Sequence, residues 1–235
     1  MHRKELNERS PLRLLEQSTH GGLGRGNIGV VVARHGVGKT AFLVGVALDD
    51  LMRDRKVLHV ALDEPVDKIR DYYDEIFLDL AHSAGLEDIW AERLEMERNR
   101  NIHTYTGSAF SVAKLREAVS FLKEHMNFEP ATLIIEGYRF EKAGAQDFAE
   151  LRKLAQEIHV ELWMSAVTHR ESSKNERGIP EPLARLENCF DLILTMEQTG
   201  SRVQLSLLKD HDNPNVSDVR VALDPATLLL IQEQP

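Results

Sequence analysis

Residues 27–50 read NIGVVVARHGVGKTAFLVGVALDD. Residues 28–32 are an unbroken apolar run rich in β-branched side chains, the mark of a buried strand. A short glycine-bearing loop spans 33–38, Lys39 and Thr40 follow, and the apolar stretch 41–51 has the pattern of a buried helix. Strand, loop, Gly-Lys-Thr and helix are the four parts of a phosphate-binding P-loop. Gly36 and Gly38 permit a bend that turns backbone N–H groups inward on phosphate oxygens. The helix N-terminus adds about half a positive charge at the same point. Lys39 can reach the terminal phosphates, and the Thr40 hydroxyl is placed to ligate Mg²⁺. The predicted nucleotide-binding set is therefore Ala33, Arg34, His35, Gly36, Val37, Gly38, Lys39, Thr40 and Ala41. The strict pattern has glycine where this chain has Ala33, which is compatible while its φ stays negative. A chance Gly-Lys-Thr in an ordinary strand-to-helix turn is the competing reading, and the context on both sides weighs against it.

Upstream, residues 1–20 read as a polar lead-in with a short amphipathic piece at 12–15. Gly21, Gly22, Gly24 and Gly26 read as a flexible turn before the first strand rather than a second phosphate cradle. Downstream, 56–62 is an apolar strand ending in Asp63-Glu64-Pro65, and Pro65 is suited to open a helix. Apolar residues recur at helical spacing from Val66 to Leu80, and 86–96 reads as a second acidic helix. Strands are expected at 101–106, 131–136 and 161–168, with helices at 111–126 and 147–158. Residues 169–182 form a long polar loop without hydrophobic period, a kind that is usually functional or disordered. Strands at 190–196, 203–209, 219–223 and 227–231 then follow without full helices between them. The fold class is α/β: a mostly parallel sheet with helices on both faces and a C-terminal antiparallel extension. The domain reading is the lead-in 1–20 and one nucleotide-binding domain, 21–235, containing the acidic helical segment 63–100.

The chain has 235 residues, 42% hydrophobic and 29% charged, enough for one substantial core. A single cysteine, Cys189, rules out an internal disulfide and fits a reducing cytoplasm, with a buried structural role its simplest reading. Neither a secretory signal nor a membrane span is read, so a cytoplasmic protein without a membrane partner is expected. The net charge of −9 argues against a surface covered in nucleic-acid contacts. Residues 63–100 alone hold 12 acidic and 5 basic side chains, so a local channel elsewhere stays open. A solvated helical face is favoured over a docking surface for that segment.

A P-loop that hydrolyses needs a carboxylate near Mg²⁺ and a base to orient water. Parallel strands deliver such groups at their C-terminal ends. Glu136 closes the strand at 131–136 and is the metal-side candidate. Asp63 and Glu64 close the strand at 56–62 and are the water-orienting candidates. Solvated loop acids are the alternative reading of all three.

With these parts in hand, the chain resembles RecA-fold ATPases, in the branch that holds DnaB-type hexameric helicases and KaiC- or RadA-type proteins. The stretches GGLGRGNIGVVVARHGVGKTAF, VLHVALDEP and LSLLKDHDNPN carry the resemblance, which covers about residues 18–232. It implies ATP and Mg²⁺ as ligands, Lys39 and Thr40 on phosphate and metal, and Glu136 as the Walker B acid. The catalytic glutamate of the family falls on Asp63, with Glu64 one step away. Lys209 matches a lysine that reaches the neighbouring subunit's nucleotide, and the accompanying arginine position falls on His211. A polar sensor at the end of the fourth strand falls on Thr168 or His169. Four departures (Asp63, Glu136, His211 and the sensor) all touch hydrolysis, so slow turnover is expected. An arginine finger can be worth about 10³ to 10⁵ in rate.

The function that follows is a Mg-ATP-binding, self-associating ATPase of low turnover, acting as a regulator or assembly switch, with a hexameric ring as one form. The alternatives are a nucleic-acid-dependent motor or recombination accessory, and a scaffold that binds nucleotide without hydrolysis. The loop matching the family's DNA-contact loop mixes Arg170, Lys174 and Arg177 with Glu171, Asn175 and Glu176. That mixture disfavours strong phosphate binding. A GTPase lacks its Asn-Lys-x-Asp signature here, and a kinase lid would need the opposite charge at 63–100.

Overall fold

The structure is a computed structural model that describes residues 2–232. Among them, nine strands form one sheet in the order β3-β2-β4-β5-β1-β6-β7-β8-β9. In chain order these are β1 (Ile28–Ala33), β2 (Val57–Leu62), β3 (Arg100–Tyr105), β4 (Thr132–Glu136), β5 (Glu161–Val167), β6 (Leu192–Thr199), β7 (Arg202–Asp210), β8 (Val221–Leu223) and β9 (Leu230–Gln232). Pairing from β3 through β6 is parallel, and β6 to β9 are joined antiparallel. The antiparallel extension expected at the C-terminus therefore begins after β6, which itself runs parallel to β1.

The helices are α1 (Arg3–Glu8), α2 (Leu12–Ser18), α3 (Lys39–Leu51), α4 (Val66–Ala84), α5 (Ile89–Asn99), α6 (Val112–Met126) and α7 (Ala145–Glu157). Strand side chains alternate between two cores. Val57, Ala61 and Ile134 face α3 and α4, where Phe42, Ile69, Tyr73 and Phe77 are buried. Leu58, Val60, Leu133 and Ile135 face α6 and α7, with Leu115, Val119, Leu151 and Leu154. A sheet covered on both faces explains why its central parallel strands read as near-continuous apolar runs, while the edge strand β3 is polar and half-buried.

α4 starts directly after Pro65 and ends at Gly85, whose left-handed φ of +61° allows the Leu86 amide to close on the Ala81 carbonyl. The N-terminal segment is more than a polar lead-in. Leu6, Leu12 and Leu15 are buried in the α3 and α4 core, and the Asn7 amide donates to the Asp49 carboxylate at 2.9 Å. Nor is the glycine-rich turn slack. Leu23 is buried, the Gly26 amide donates to the Val160 carbonyl at 2.7 Å, and all four glycines take positive φ.

Trp163 on β5 packs against Gly29, where a Cβ would sit 2.8 Å from its ring, and meets Phe42 of α3 edge-on at 5.8 Å. That contact seats the first turn of α3 against the sheet. The loop 169–182 is ordered by its own bonds: Asn175 Oδ1 accepts from the Arg177 and Ile179 amides, and Ile179 is buried. No helix among the described residues is long and apolar enough to cross a membrane.

Candidate functional site

The P-loop links β1 to α3 where the sequence places it. Gly36 and Gly38 take φ of +75° and +111°, and Gly38 caps α3. Ala33 ends β1 in extended backbone, so the departure from glycine costs nothing there. A Cβ on Gly38 would lie 2.4 Å from Leu223 Cδ2, so glycine is required for space as well as conformation. The first-turn amides of α3 have no intrahelical acceptor, and the helix dipole adds positive potential at that end. Arg34, His35 and Gly36 are exposed, while Val37 to Thr40 are half-buried.

Lys39 Nζ curls back to donate to the carbonyls of Arg34 (2.9 Å) and Ala33 (3.3 Å). Burial holds its pKa below the usual lysine value, and the nearby Glu136 charge opposes that shift. Lys39 and Glu136 therefore share one electrostatic neighbourhood, although β5 separates their strands.

Glu136 is buried at the end of β4, and its Oε1 has no hydrogen-bond partner. Its Oε2 lies 3.4 Å from Nε2 of His59, a fully buried residue whose Nε2 is also without a hydrogen bond. Leaving a carboxylate oxygen buried and unpaired is costly. A hydrated divalent cation would satisfy it, and Mg²⁺ keeps several waters while taking one or two protein oxygens plus phosphate. Glu136 Oε1 fits that demand. Among the described residues no group of three or more His, Cys, Asp or Glu side chains could hold a metal by itself. Any Mg²⁺ here would be completed by nucleotide oxygens.

The two water-orienting candidates are both paired. Asp63 has φ of +62°, accepts from the Gly107 amide at 2.6 Å and meets Arg139 Nη2 at 2.9 Å. The Gly107 amide and then Arg139 hold its carboxyl below the usual aspartate range. Glu64 instead turns to Lys68, 2.8 Å away on the first turn of α4. The Lys68 ammonium, raised chiefly by Glu64, also feels Glu136. Glu64 is thus engaged within the start of α4, whereas Asp63 is engaged by the segments after β3 and β4.

Thr168 and His169 follow β5 and line a cavity together with Ala33, Arg34, Arg170, Lys174 and Thr195. The Thr168 hydroxyl donates to the Glu181 carbonyl at 3.2 Å. Lys174 and Arg177 are drawn to Glu197 (3.6 Å) and Glu187 (3.2 Å), which mutes the charge of that loop.

Lys209 is turned inward, and His211 is only partly exposed. Lys209 is buried and donates to the carbonyls of Phe190 (2.7 Å) and Glu187 (3.0 Å). His211 pairs with Asp210 (2.9 Å) and with the Leu23 carbonyl (3.1 Å). Lys209 lies opposite Ile193 near the end of β7, and His211 follows that strand with its amide on the Asp191 carbonyl, so both sit at the far end of the sheet from this chain's own P-loop. Reaching a neighbour's nucleotide would require both to leave these partners.

Four contributors escaped the sequence reading: His59, Tyr73, Gly107 and Arg139. His59 looked like one polar residue in a core strand. The other three join the site only through contacts remote in sequence.

The fold has a counterpart in a solved structure described as an ATPase domain. It superposes with a TM-score of 0.67 over 94% of this chain and 89% of that one, at 17% identity. In sequence, the chain is 26% identical over 220 residues to a DnaB-like replicative helicase of Enterobacteria phage T4. The chain has a RecA-like fold, and its sequence is similar to that of a DnaB-like helicase. No family model matches it. The match to the phage helicase covers 80% of this RecA-fold chain but only 45% of the helicase, so the chain spans about half of that relative's length. The strand order fits the assignment: β5 lies between the P-loop strand β1 and the Glu136 strand β4. Thr168 and His169, which follow β5, thereby fall between the phosphate loop and Glu136.

Proposed function

We propose that this chain binds Mg-ATP, hydrolyses it slowly, and uses the bound nucleotide to control self-association as a regulator or assembly switch. The observation that carries the reading is a contrast within one site. The parts that hold nucleotide are free to do so, while the parts that would drive hydrolysis are already committed. Gly36, Gly38 and the first turn of α3 offer phosphate contacts, Lys39 needs only to leave two carbonyls, and Glu136 keeps one oxygen unpaired.

Bound between Thr40 and Glu136, Mg²⁺ would supply charge neutralisation at the terminal phosphates. Lys39 would add a second positive charge there. Glu64 is the residue proposed to orient water, because Asp63 is held by two donors while Glu64 is engaged by Lys68 alone. Its carboxylate is already engaged by the Lys68 ammonium, which must give way before a water can take that place. Asp63 is engaged further, by two donors. These features support low turnover.

The likeness to a replicative helicase favours one second reading, an ATPase driven by nucleic acid. In that case single-stranded DNA should bind with steep salt dependence and raise turnover. Sedimentation with and without Mg-ATP tests the first reading. A nucleotide-dependent gain in mass that Lys39→Ala abolishes supports it, and an unchanged monomer at all concentrations counts against the switch.

A further inference from the structure

His59 sits in the middle of β2, fully buried, between Glu136 and Tyr73. Its Nδ1 is 3.0 Å from the Tyr73 hydroxyl and its Nε2 is 3.4 Å from Glu136 Oε2. We propose that Tyr73 and His59 form a positioning relay for the Walker B acid, presenting an Nε2–H to Glu136 Oε2 and reserving Oε1 for the metal side. This rests on the Mg-nucleotide reading of the site.

The proton assignment follows from the partners. Tyr73 is fully buried, its phenol is pushed up by burial and stays protonated, and His59 Nδ1 is its hydrogen-bond partner. Were Nδ1–H the donor, the phenolic proton would lose its acceptor and the Nε2 lone pair would face a carboxylate. With Tyr73 donating, Nδ1 accepts and Nε2–H faces Glu136, so both contacts are favourable. The Arg100 guanidinium, 4.5 Å over the Tyr73 ring, and the edge-on His59–Tyr73 contact at 5.7 Å hold the phenol in place. The arrangement is the usual device by which a partner behind a metal ligand sets its orientation.

Nitrogen NMR of the nucleotide-free protein gives a readout independent of activity. His59 is expected as the Nε2–H tautomer with an unprotonated Nδ1, and an Nδ1–H tautomer would overturn the relay. Metal dependence gives the second readout, as Mg²⁺ titration of ATP binding in His59→Phe, His59→Gln and Tyr73→Phe. His59→Phe should weaken apparent Mg²⁺ affinity by about tenfold to a hundredfold. Metal-free ATP binding should be unchanged, and His59→Gln, whose amide can still donate, should restore most of the loss. Equal Mg²⁺ dependence in the Phe and Gln variants would reduce His59 to packing and sink the proposal. If His59→Phe fails to fold, Tyr73→Phe and the tautomer decide it. A wild-type protein that binds no Mg-ATP defeats the nucleotide reading instead, and leaves the tautomer to be judged in the free protein.

Discussion

Asp63 and Arg139, 76 residues apart in sequence, meet at 2.9 Å on the exposed rim of the site. Their contact closes a three-way junction, because Asp63 also accepts from the Gly107 amide at 2.6 Å. A Cβ at Gly107 would come within 2.6 Å of the Asp63 carboxylate, so this approach needs glycine. The carboxylate that the family resemblance assigns to catalysis is therefore spent on joining the ends of β2, β3 and β4.

Removing the guanidinium should release that carboxylate in part. In Arg139→Ala, carbon NMR should find the Asp63 carboxyl titrating at higher pH than in wild type, though still held down by Gly107. The sign for stability follows: a depressed folded pKa contributes stability above the ordinary aspartate range and loses it as pH falls. The difference in melting temperature between wild type and Arg139→Ala should therefore shrink on acidification.

The two acids after β2 should separate in kinetics. Glu64→Gln is expected to remove most residual turnover, a loss of about 10²-fold or more for a positioned proton acceptor. Asp63→Asn should cost only a few-fold, on the order of a lost surface ion pair. ATP binding should survive both, and the reverse ranking would return the role to Asp63.

Gly36 and Gly38 share positive φ but not surroundings. Gly36 has open space where a Cβ would point, while at Gly38 the Cβ collides with Leu223. Gly36→Ala should cost only the conformational strain, roughly 1–2 kcal/mol. Gly38→Ala must in addition displace the buried Leu223 side chain, and should lower the melting temperature further and weaken nucleotide binding.

The far end of the sheet should respond to pH through His211. Burial lowers its pKa, but the Asp210 hydrogen bond and the Leu23 carbonyl outweigh this and leave it raised. Asp210 keeps its charge, since its bonds from His211, Asn213 and His20 overcome burial. Asp191 adds further negative potential. A raised histidine stabilises fully below its unfolded pKa of about 6.5 and ceases to do so as pH climbs through the folded value. The melting-temperature gap between wild type and His211→Gln should accordingly be widest below that pH and narrow under alkaline conditions.

Much of this was legible in the sequence for physical reasons. The P-loop is a local motif, so its four parts could be read from 24 consecutive residues. Glu136 stood out as a charge ending a run of buried positions, and β2, β4 and β5 announced themselves as apolar runs because the sheet is covered on both faces. What stayed hidden is long-range. His59 became informative only when β2 paired with β4 and α4 brought Tyr73 behind it. Gly107 and Arg139 sit in loops whose meeting point no periodicity encodes. Lys209 could be matched to a motif, yet its inward hydrogen bonds to residues 187 and 190 depend on how the chain returns before β6.

The most direct test is Mg²⁺-dependent ATP turnover per subunit, followed over a wide range of protein concentration beside Lys39→Ala. Slow turnover that climbs with concentration and disappears in the variant is the predicted result. Turnover per subunit that is fast and independent of concentration, or ATP binding that survives Lys39→Ala, would contradict the account.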